Sequence, residues 1–256
     1  MRFLTHRVFL FWLLHLVLVI FGIGVLLLLG LPQMALRHDR SYLTLLLFAM
    51  YGTAEVLSGW HAWAISEDNR TVDRVIRWLT WHKLGHIAIK KDESVQLLKA
   101  ESTNPLDRCV VQRSAIADHL TMLCAKADAG QRTIDQGTML DITAEGLYAR
   151  ALIGDFIAAQ IVWVGILATI VGVILAFWPM IDGVSIDAMR TNLGQFFGGI
   201  AVAFIPTAVS FVCKITLDIN TRIIASGVRQ LVEKIAYVAE TKVLPFLHND
   251  GKTTVL

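Results

Sequence analysis

The sequence predicts an all-α membrane protein that crosses the bilayer four times. Hydrophobic residues make up 55% of the 256 residues and charged residues only 17%, and the apolar residues gather in four long stretches. Soluble domains carry about 25% charged residues, and the mean hydropathy of +0.58 also points away from that class. Because a backbone in lipid must satisfy its own hydrogen bonds, each stretch is expected to be a helix.

A helix needs about 20 apolar residues to cross a hydrocarbon core of about 30 Å. The stretches that meet this length are 8–31, 42–65, 156–181 and 193–217. The first follows Arg2 and Arg7 as a signal peptide would, but its core exceeds the roughly 7–15 residues of such a peptide. It is therefore predicted to be an uncleaved anchor. The spans form two hairpins, within residues 1–65 and 156–217.

Lysine and arginine near the span ends favour one orientation. Under the positive-inside rule, the side with more of these residues is cytoplasmic. Both termini and residues 66–155 are then expected inside, and the two short turns outside. The inner set is Arg2, Arg7, Arg70, Arg74, Arg77, Lys83, Arg150, Arg222 and Arg229, and the outer set is Arg37, Arg40 and Arg190.

The region 66–155 is predicted to be helical almost throughout. Apolar residues recur at helical spacing in two places, and Asn104-Pro105 and Gly130 supply breaks between the helices. The two sets are Val72, Val75, Ile76 and Leu79, and Leu106, Val110, Ala117, Leu120 and Cys124.

The segment 218–256 is predicted to continue the fourth helix into the cytoplasm as far as Pro245, with Asp218 and Arg222 spaced to pair. An apolar stripe along it follows an a/d heptad pattern, which expects partner helices such as identical copies in a ring. The alternative is that the stripe packs against residues 66–155 of the same chain. We call this stripe the heptad seam: Ile224, Val228, Leu231, Ile235 and Val238.

Small residues mark the third and fourth spans as closely packed helices. In the third span, Thr169 is the only hydroxyl on the face that carries Gly165 and Gly172. The fourth span contains Gln195, Thr207 and the kink-forming Pro206, features that favour a cavity or a hinge. It also carries a GxxxG pair at Gly194 and Gly198.

Glu55 is an acidic residue inside the second predicted span. Carboxylates within membranes often serve proton relays, although local pairing with neighbours such as Thr53 and Ser58 would also explain this residue. The third and fourth spans contain no deep carboxylate. Either the chain carries no proton there, or a partner supplies the acid.

Other function classes lack the residues they need. A formal net charge of +2 gives no argument for nucleic-acid binding. His82 and His86 lie four apart, but the pattern lacks a glutamate and a third ligand, so no metal site is predicted. There is no phosphate-binding loop or nucleophile motif, which argues against an enzyme. No cofactor is expected beyond a transported ion.

The last two spans resemble the MotA/TolQ/ExbB proton-channel family. Residues 165–173 read GILATIVGV, which is similar to the family's G-L-x-G-T-V-x-G-[MI] run and matches Thr169 to its polar threonine. Residues 194–204 resemble the MotA form of the next span, with Gln195 in the place of a threonine. In a second register, Ile205-Pro206-Thr207 matches the I-P-A of the TolQ/ExbB form.

The resemblance implies a pentameric ring around a dimer of a single-span MotB/TolR/ExbD-like partner that carries a membrane aspartate. It also implies a bacterial inner membrane and flow of H+ or Na+ past Thr169, with Gln195 or Thr207 completing a polar constriction. The expected function is therefore the stator subunit of an ion-driven motor. The alternatives are a non-conducting scaffold or signalling ring, and a self-contained channel or transporter that uses Glu55.

Overall fold

The computed structural model describes residues 7–28, 30, 43–89, 94–100, 108–129, 135–177, 186–249 and 253–255. Helices dominate these residues. Two long helices precede a group of short strands, and two further long helices follow. The elements are α1 (Arg7–Leu28), α2 (Leu43–Trp81), β1 (Leu84–Ile89), β2 (Val95–Lys99), β3 (Arg108–Val111), α3 (Ala115–Asp128), α4 (Gly137–Phe177), α5 (Ile186–Val238), a π-helical turn (Ala239–Val243), α6 (Leu244–Asn249) and β4 (Thr253–Val255).

Four of these helices, α1, α2, α4 and α5, are long and apolar enough to cross a membrane. This confirms that the chain is mostly helical with four candidate spans, and it supports the prediction of a polytopic membrane protein. Three of the helices continue well past the length that a bilayer requires: α2 has 39 residues, α4 has 41 and α5 has 53. Each therefore combines an apolar segment with a more polar extension.

The prediction that residues 66–155 are helical almost throughout is wrong at their centre. The region contains three strands, which join β4 in a sheet of order β3-β2-β1-β4. The β1–β2 and β2–β3 pairs are antiparallel, and β4 runs parallel to β1. The predicted breaks at Asn104-Pro105 and Gly130, and the apolar Leu106, lie outside the described residues.

Alternation of buried and exposed side chains explains the strands. Cys109 and Val111 in β3 are buried while Val110 between them is 38% exposed, the period of two that a half-buried strand produces. The predicted helical position of Val110 is therefore wrong, since a short apolar run fits both periods. In β1, Gly85 lies at an irregularity in the register with β2. A Cβ there would lie 2.5 Å from the Ala100 backbone nitrogen, so only glycine allows this approach.

The chain divides into two compact units. Unit 1 comprises Met1–Leu10, His61–Arg150 and Ile224–Leu256, and unit 2 comprises Phe11–Trp60 and Ala151–Ile223. Unit 1 contains the sheet, α3 and the heptad seam. Unit 2 contains most of the apolar helical segments, and its core is formed by α2, α4 and α5 around Leu47, Ala54, Ala158, Ile161 and Leu217.

The heptad seam is buried inside unit 1 of this single chain. All five of its residues are at most 3% exposed. This supports packing within the chain over packing between copies. Lys234, beside the seam on α5, donates to Asp73 Oδ1 at 2.8 Å and to Asn69 Oδ1 at 3.2 Å, both on α2. These contacts join the ends of two long helices.

The end of α5 differs slightly from the prediction. The helix does not stop at Pro245 but passes through a π-helical turn into α6, whose second residue is Pro245. The Leu244 N–H still bonds to the Ala239 carbonyl oxygen, so the helical hydrogen bonding continues up to Pro245, which itself has no N–H to donate. Asp218 pairs with Lys214, four residues earlier, at 2.6 Å. The expected Asp218–Arg222 pair is therefore wrong.

Candidate functional site

The α4–α5 contact in unit 2 is a close approach between small residues. A Cβ at Gly165 would lie 2.5 Å from Ser210 Cβ, and one at Gly172 would lie 2.6 Å from Ala203 Cβ. Either added methyl group would force the helices apart. The geometry is thus consistent with the predicted role of Gly165 and Gly172 in helix packing. Small residues commonly allow such close contact between membrane helices.

Thr169 of α4 and Thr207 of α5 meet at this contact. Their hydroxyl groups are hydrogen-bonded to each other. Thr207 Oγ1 also lies 2.8 Å from the Gly165 carbonyl oxygen, and Thr169 Oγ1 lies 3.0 Å from that of Ala203 and 3.3 Å from that of Gly165. Each helix therefore offers a hydroxyl to a carbonyl of the other, and we call this arrangement the hydroxyl pair.

The hydroxyl pair is half-buried, and a further polar residue, Ser210, lies about one helical turn after Thr207. Ser210, fully buried, donates to the Thr207 carbonyl at 2.8 Å. Pro206 lies inside α5 and removes the backbone hydrogen bond to the carbonyl four residues earlier. Its own carbonyl oxygen would lie 3.3 Å from a Cβ at Gly165. Serine, proline and the two threonines thus concentrate polar groups at one level of an apolar helix pair.

Gln195, the other candidate for the polar residue of the fourth span, is far from Thr207. The placement of its side chain is not described, although the backbone at Gly194, Gln195 and Gly198 is helical. Twelve residues of helix separate positions 195 and 207, a rise of about 18 Å. Of the two registers, only the one through Thr207 brings the matched residue to Thr169.

A charged pair that sequence reasoning overlooked follows the hydroxyl pair on α5. Lys214 lies within the predicted span 193–217, and its ammonium group is 2.7 and 2.6 Å from the two carboxylate oxygens of Asp218. Seven residues are about two helical turns, so Lys214 lies on the same side of α5 as Thr207. The i,i+4 spacing of a lysine and an aspartate was the available signal.

Glu55 lies in a second polar cluster in unit 2. It is 6% exposed and accepts hydrogen bonds from the Tyr51 hydroxyl at 2.6 Å and from Asn220 Nδ2 on α5 at 2.8 Å. The suggested neighbour Thr53 instead donates to the Ala49 carbonyl. Tyr51 could have been found from its i,i+4 spacing, whereas Asn220 is 165 residues away in the chain and required the fold.

The structure separates His82 and His86, which the sequence spaces four residues apart. His82 follows α2 and stacks on Trp78, whereas His86 lies in β1, so the two do not share a helical face. No group of three or more metal-ligating side chains occurs within the part of the chain that the structure describes.

His119 and Cys124 of α3 are buried in the apolar interior of unit 1. Burial lowers the pKa of His119, while the neighbouring Gln136 amide opposes the shift. Burial also raises the pKa of the Cys124 thiol to about 12, with a smaller contribution from Asp128. Both groups are therefore held in their neutral forms at neutral pH, as packed interior residues are.

No protein family, curated protein or solved structure gives a significant match to this chain. The candidate function accordingly depends on the two polar clusters of unit 2 and on the motif resemblance.

Proposed function

We propose that the chain is a ring-forming stator or channel subunit of an ion-driven membrane motor, related to the MotA/TolQ/ExbB proteins. In this proposal, five copies surround a dimer of a single-span partner, and the partner carries the aspartate that binds the ion. The chain lies in a bacterial inner membrane with both termini in the cytoplasm, and it is not an enzyme. The transported ion is H+ or Na+.

The observation that carries the proposal is the meeting of Thr169 with Thr207. These two residues are the ones that the family's third-span run and the I-P-A register match independently. The hairpin of the third and fourth spans brings the two matched residues into contact, which supports the proposal. A half-buried pair of hydroxyl groups in an apolar surrounding can solvate a passing ion or hydrogen-bond to a partner carboxylate.

The close helix contact supports the same proposal. Gly165 and Gly172 bring α4 and α5 together with little side-chain volume between them, so a third helix could approach the same edge. Many apolar side chains of α1 and of the apolar part of α4 are exposed in the single chain. Lipid or neighbouring subunits would cover them.

Ion flux through the complex with its partner tests the proposal. Thr169→Val keeps the shape of the side chain but removes the hydroxyl, and it should abolish ion-dependent function while the complex still assembles. Thr169→Ser restores the hydroxyl and should recover most of the flux. Flux measured with a pH-sensitive dye in proteoliposomes distinguishes the two, and normal flux through Thr169→Val would exclude the hydroxyl pair from the pathway.

A self-contained channel is the second candidate, and the burial of Glu55 favours it. Glu55→Gln separates the two functions, because a motor whose acid lies on the partner should retain its flux while a channel that relays protons through Glu55 should lose it. A scaffold without ion flow would show no flux in any variant. The control is Glu67→Gln, which changes an exposed acid on the same helix.

A further inference from the structure

The carboxylate of Glu55 is held by neutral groups. Its two hydrogen-bond donors, the Tyr51 hydroxyl and the Asn220 amide, are both neutral. Among the described residues, no lysine, arginine or histidine forms an ion pair with it. An ionised carboxylate buried in an apolar surrounding is costly unless a counter-charge is present. Two neutral donors reduce this cost but leave the charge in place.

Asn220 supplies a second observation that favours a cation site. It is fully buried, its Nδ2 donates to Glu55, and its Oδ1 has no hydrogen-bond partner within the described part of the chain. Buried polar atoms are nearly always paired. The amide oxygen of Asn220 therefore lacks a donor, and the neighbouring Glu55 carboxylate lacks a counter-charge among the described residues. A bound cation would satisfy both groups.

The oxygens available match the needs of a small hard cation. Glu55 offers two carboxylate oxygens, Tyr51 a phenol oxygen and Asn220 an amide oxygen, and hard cations prefer such ligands. The two ends of an amide have nearly the same shape, so a half-turn of Asn220 would place Oδ1 against the carboxylate. In that orientation the site could hold either a proton on Glu55 or a metal cation between the oxygens.

The neighbouring titratable groups do not supply the charge. Tyr51 on α2 and Cys213 on α5 are both buried. A phenol and a thiol cannot carry a positive charge, so neither can neutralise the carboxylate. His15 on α1 points its Nε2 to the Thr216 carbonyl oxygen at 3.2 Å, and not to the carboxylate. Lys214 is engaged with Asp218.

The Glu55 cluster is separate from the hydroxyl pair. Asn220 follows Thr207 by thirteen residues on α5, which is a rise of about 20 Å and a rotation of about 140° around the helix. An ion at one cluster would therefore not contact the other. Tyr51, Glu55 and Asn220 all belong to unit 2 of one chain, so these ligands come from a single subunit.

We propose that Glu55, Tyr51 and Asn220 form a binding site for a small monovalent cation, a proton or Na+, within a single chain and apart from the hydroxyl pair. The cation acts as the counter-charge of the carboxylate and fastens α2 to α5. This site does not depend on the motor proposal, because its three ligand residues belong to one chain.

Thermal unfolding of the full chain in mild detergent tests the site. Sodium is titrated against choline at constant ionic strength and pH, and pH is varied separately in choline alone. For a sodium site, the melting temperature of the native chain rises with Na+ and levels off, while Glu55→Gln does not respond. For a proton site, Na+ has no specific effect, and the native chain approaches the Glu55→Gln variant in stability as the pH falls.

Two further variants keep the test decisive if Glu55→Gln fails to fold. Asn220→Ala keeps the acid but removes the amide oxygen, and it should raise the half-saturating Na+ concentration several-fold or alter the pH response. Glu67→Gln serves as the control and should leave both titrations unchanged. The proposal is overturned if the native chain and the Glu55 and Asn220 variants differ by constant amounts across both titrations.

Discussion

Thr169 and Thr207 share one acceptor: the Gly165 carbonyl oxygen lies 3.3 Å from Thr169 Oγ1 and 2.8 Å from Thr207 Oγ1. The first contact is the usual back-bond of a helical threonine to the carbonyl four residues earlier. The second crosses to the neighbouring helix. Because the two hydroxyl groups also bond to each other, neither can change its hydrogen bonding without affecting the other.

The shared acceptor predicts non-additive effects of removing the two hydroxyl groups. Thr169→Val and Thr207→Val should each destabilise the α4–α5 contact, and the double variant should lose less than the sum of the two. A coupling of about 0.5–3 kcal/mol is usual for residues in one network. A double-mutant cycle on thermal unfolding measures it, and strict additivity would show that the hydroxyl groups act separately.

Because α4 and α5 lie close together at Gly165, Gly165→Ala should destabilise the protein. The added Cβ would lie 2.5 Å from the Cβ of Ser210, a fully buried residue. Gly146 on the same helix provides the control because a Cβ there meets nothing within 4 Å. Gly146→Ala should be neutral or gain up to about 1 kcal/mol in helix propensity. Equal melting temperatures for the two variants would contradict the packing.

Because the heptad seam is buried within one chain, truncating one of its side chains should lower the free energy of unfolding by an amount that does not depend on assembly. Leu231 is fully buried, and Leu231→Ala should cost about 2–5 kcal/mol. Arg229→Ala, at a side chain that is 79% exposed, should change stability by no more than about 0.5 kcal/mol. The cost at Leu231 should be the same at all protein concentrations. A concentration-dependent cost would indicate that the seam packs between copies.

His119 predicts a pH dependence for unit 1. Its folded-state pKa lies below the ordinary 6.5 because burial disfavours the charged ring. Below 6.5, the unfolded chain therefore binds more protons than the folded chain, and stability falls as the pH falls towards the folded-state pKa. Above 6.5 this contribution is fully present.

Unfolding of the native chain and of His119→Leu at a series of pH values measures this contribution. The variant should lose the part of the acid sensitivity that comes from this ring. His248→Gln, at an exposed histidine of α6, is the control and should keep it. The prediction is contradicted if the native chain and His119→Leu have parallel pH profiles.

The membrane helices could be predicted from the sequence because length and hydropathy alone determine them. Val72, Val75 and Leu79 also fell on a helix as expected, and all three are buried. The sheet could not be predicted, since its strands have only 3 to 6 residues and short apolar runs fit either period. The parallel pairing of β4 with β1 joins segments more than 160 residues apart, which no local pattern encodes.

The sites show the same division between local and long-range information. Thr169 and Thr207 were candidates because hydroxyl groups and a proline are unusual in apolar spans. Two registers of the fourth span were open, and the contact between Thr169 and Thr207 required the fold. The Glu55 cluster depended on Asn220, which has no distinguishing motif. Lys214 could have been identified from the sequence, because it is a charged residue within a predicted span, as Glu55 is.

Native mass spectrometry of the complex, extracted in mild detergent from its own host, tests the central proposal most directly. The stator proposal predicts five copies of this chain with two copies of a small single-span protein whose membrane segment contains an aspartate. A monomer or a homo-oligomer with no such partner bound would contradict it.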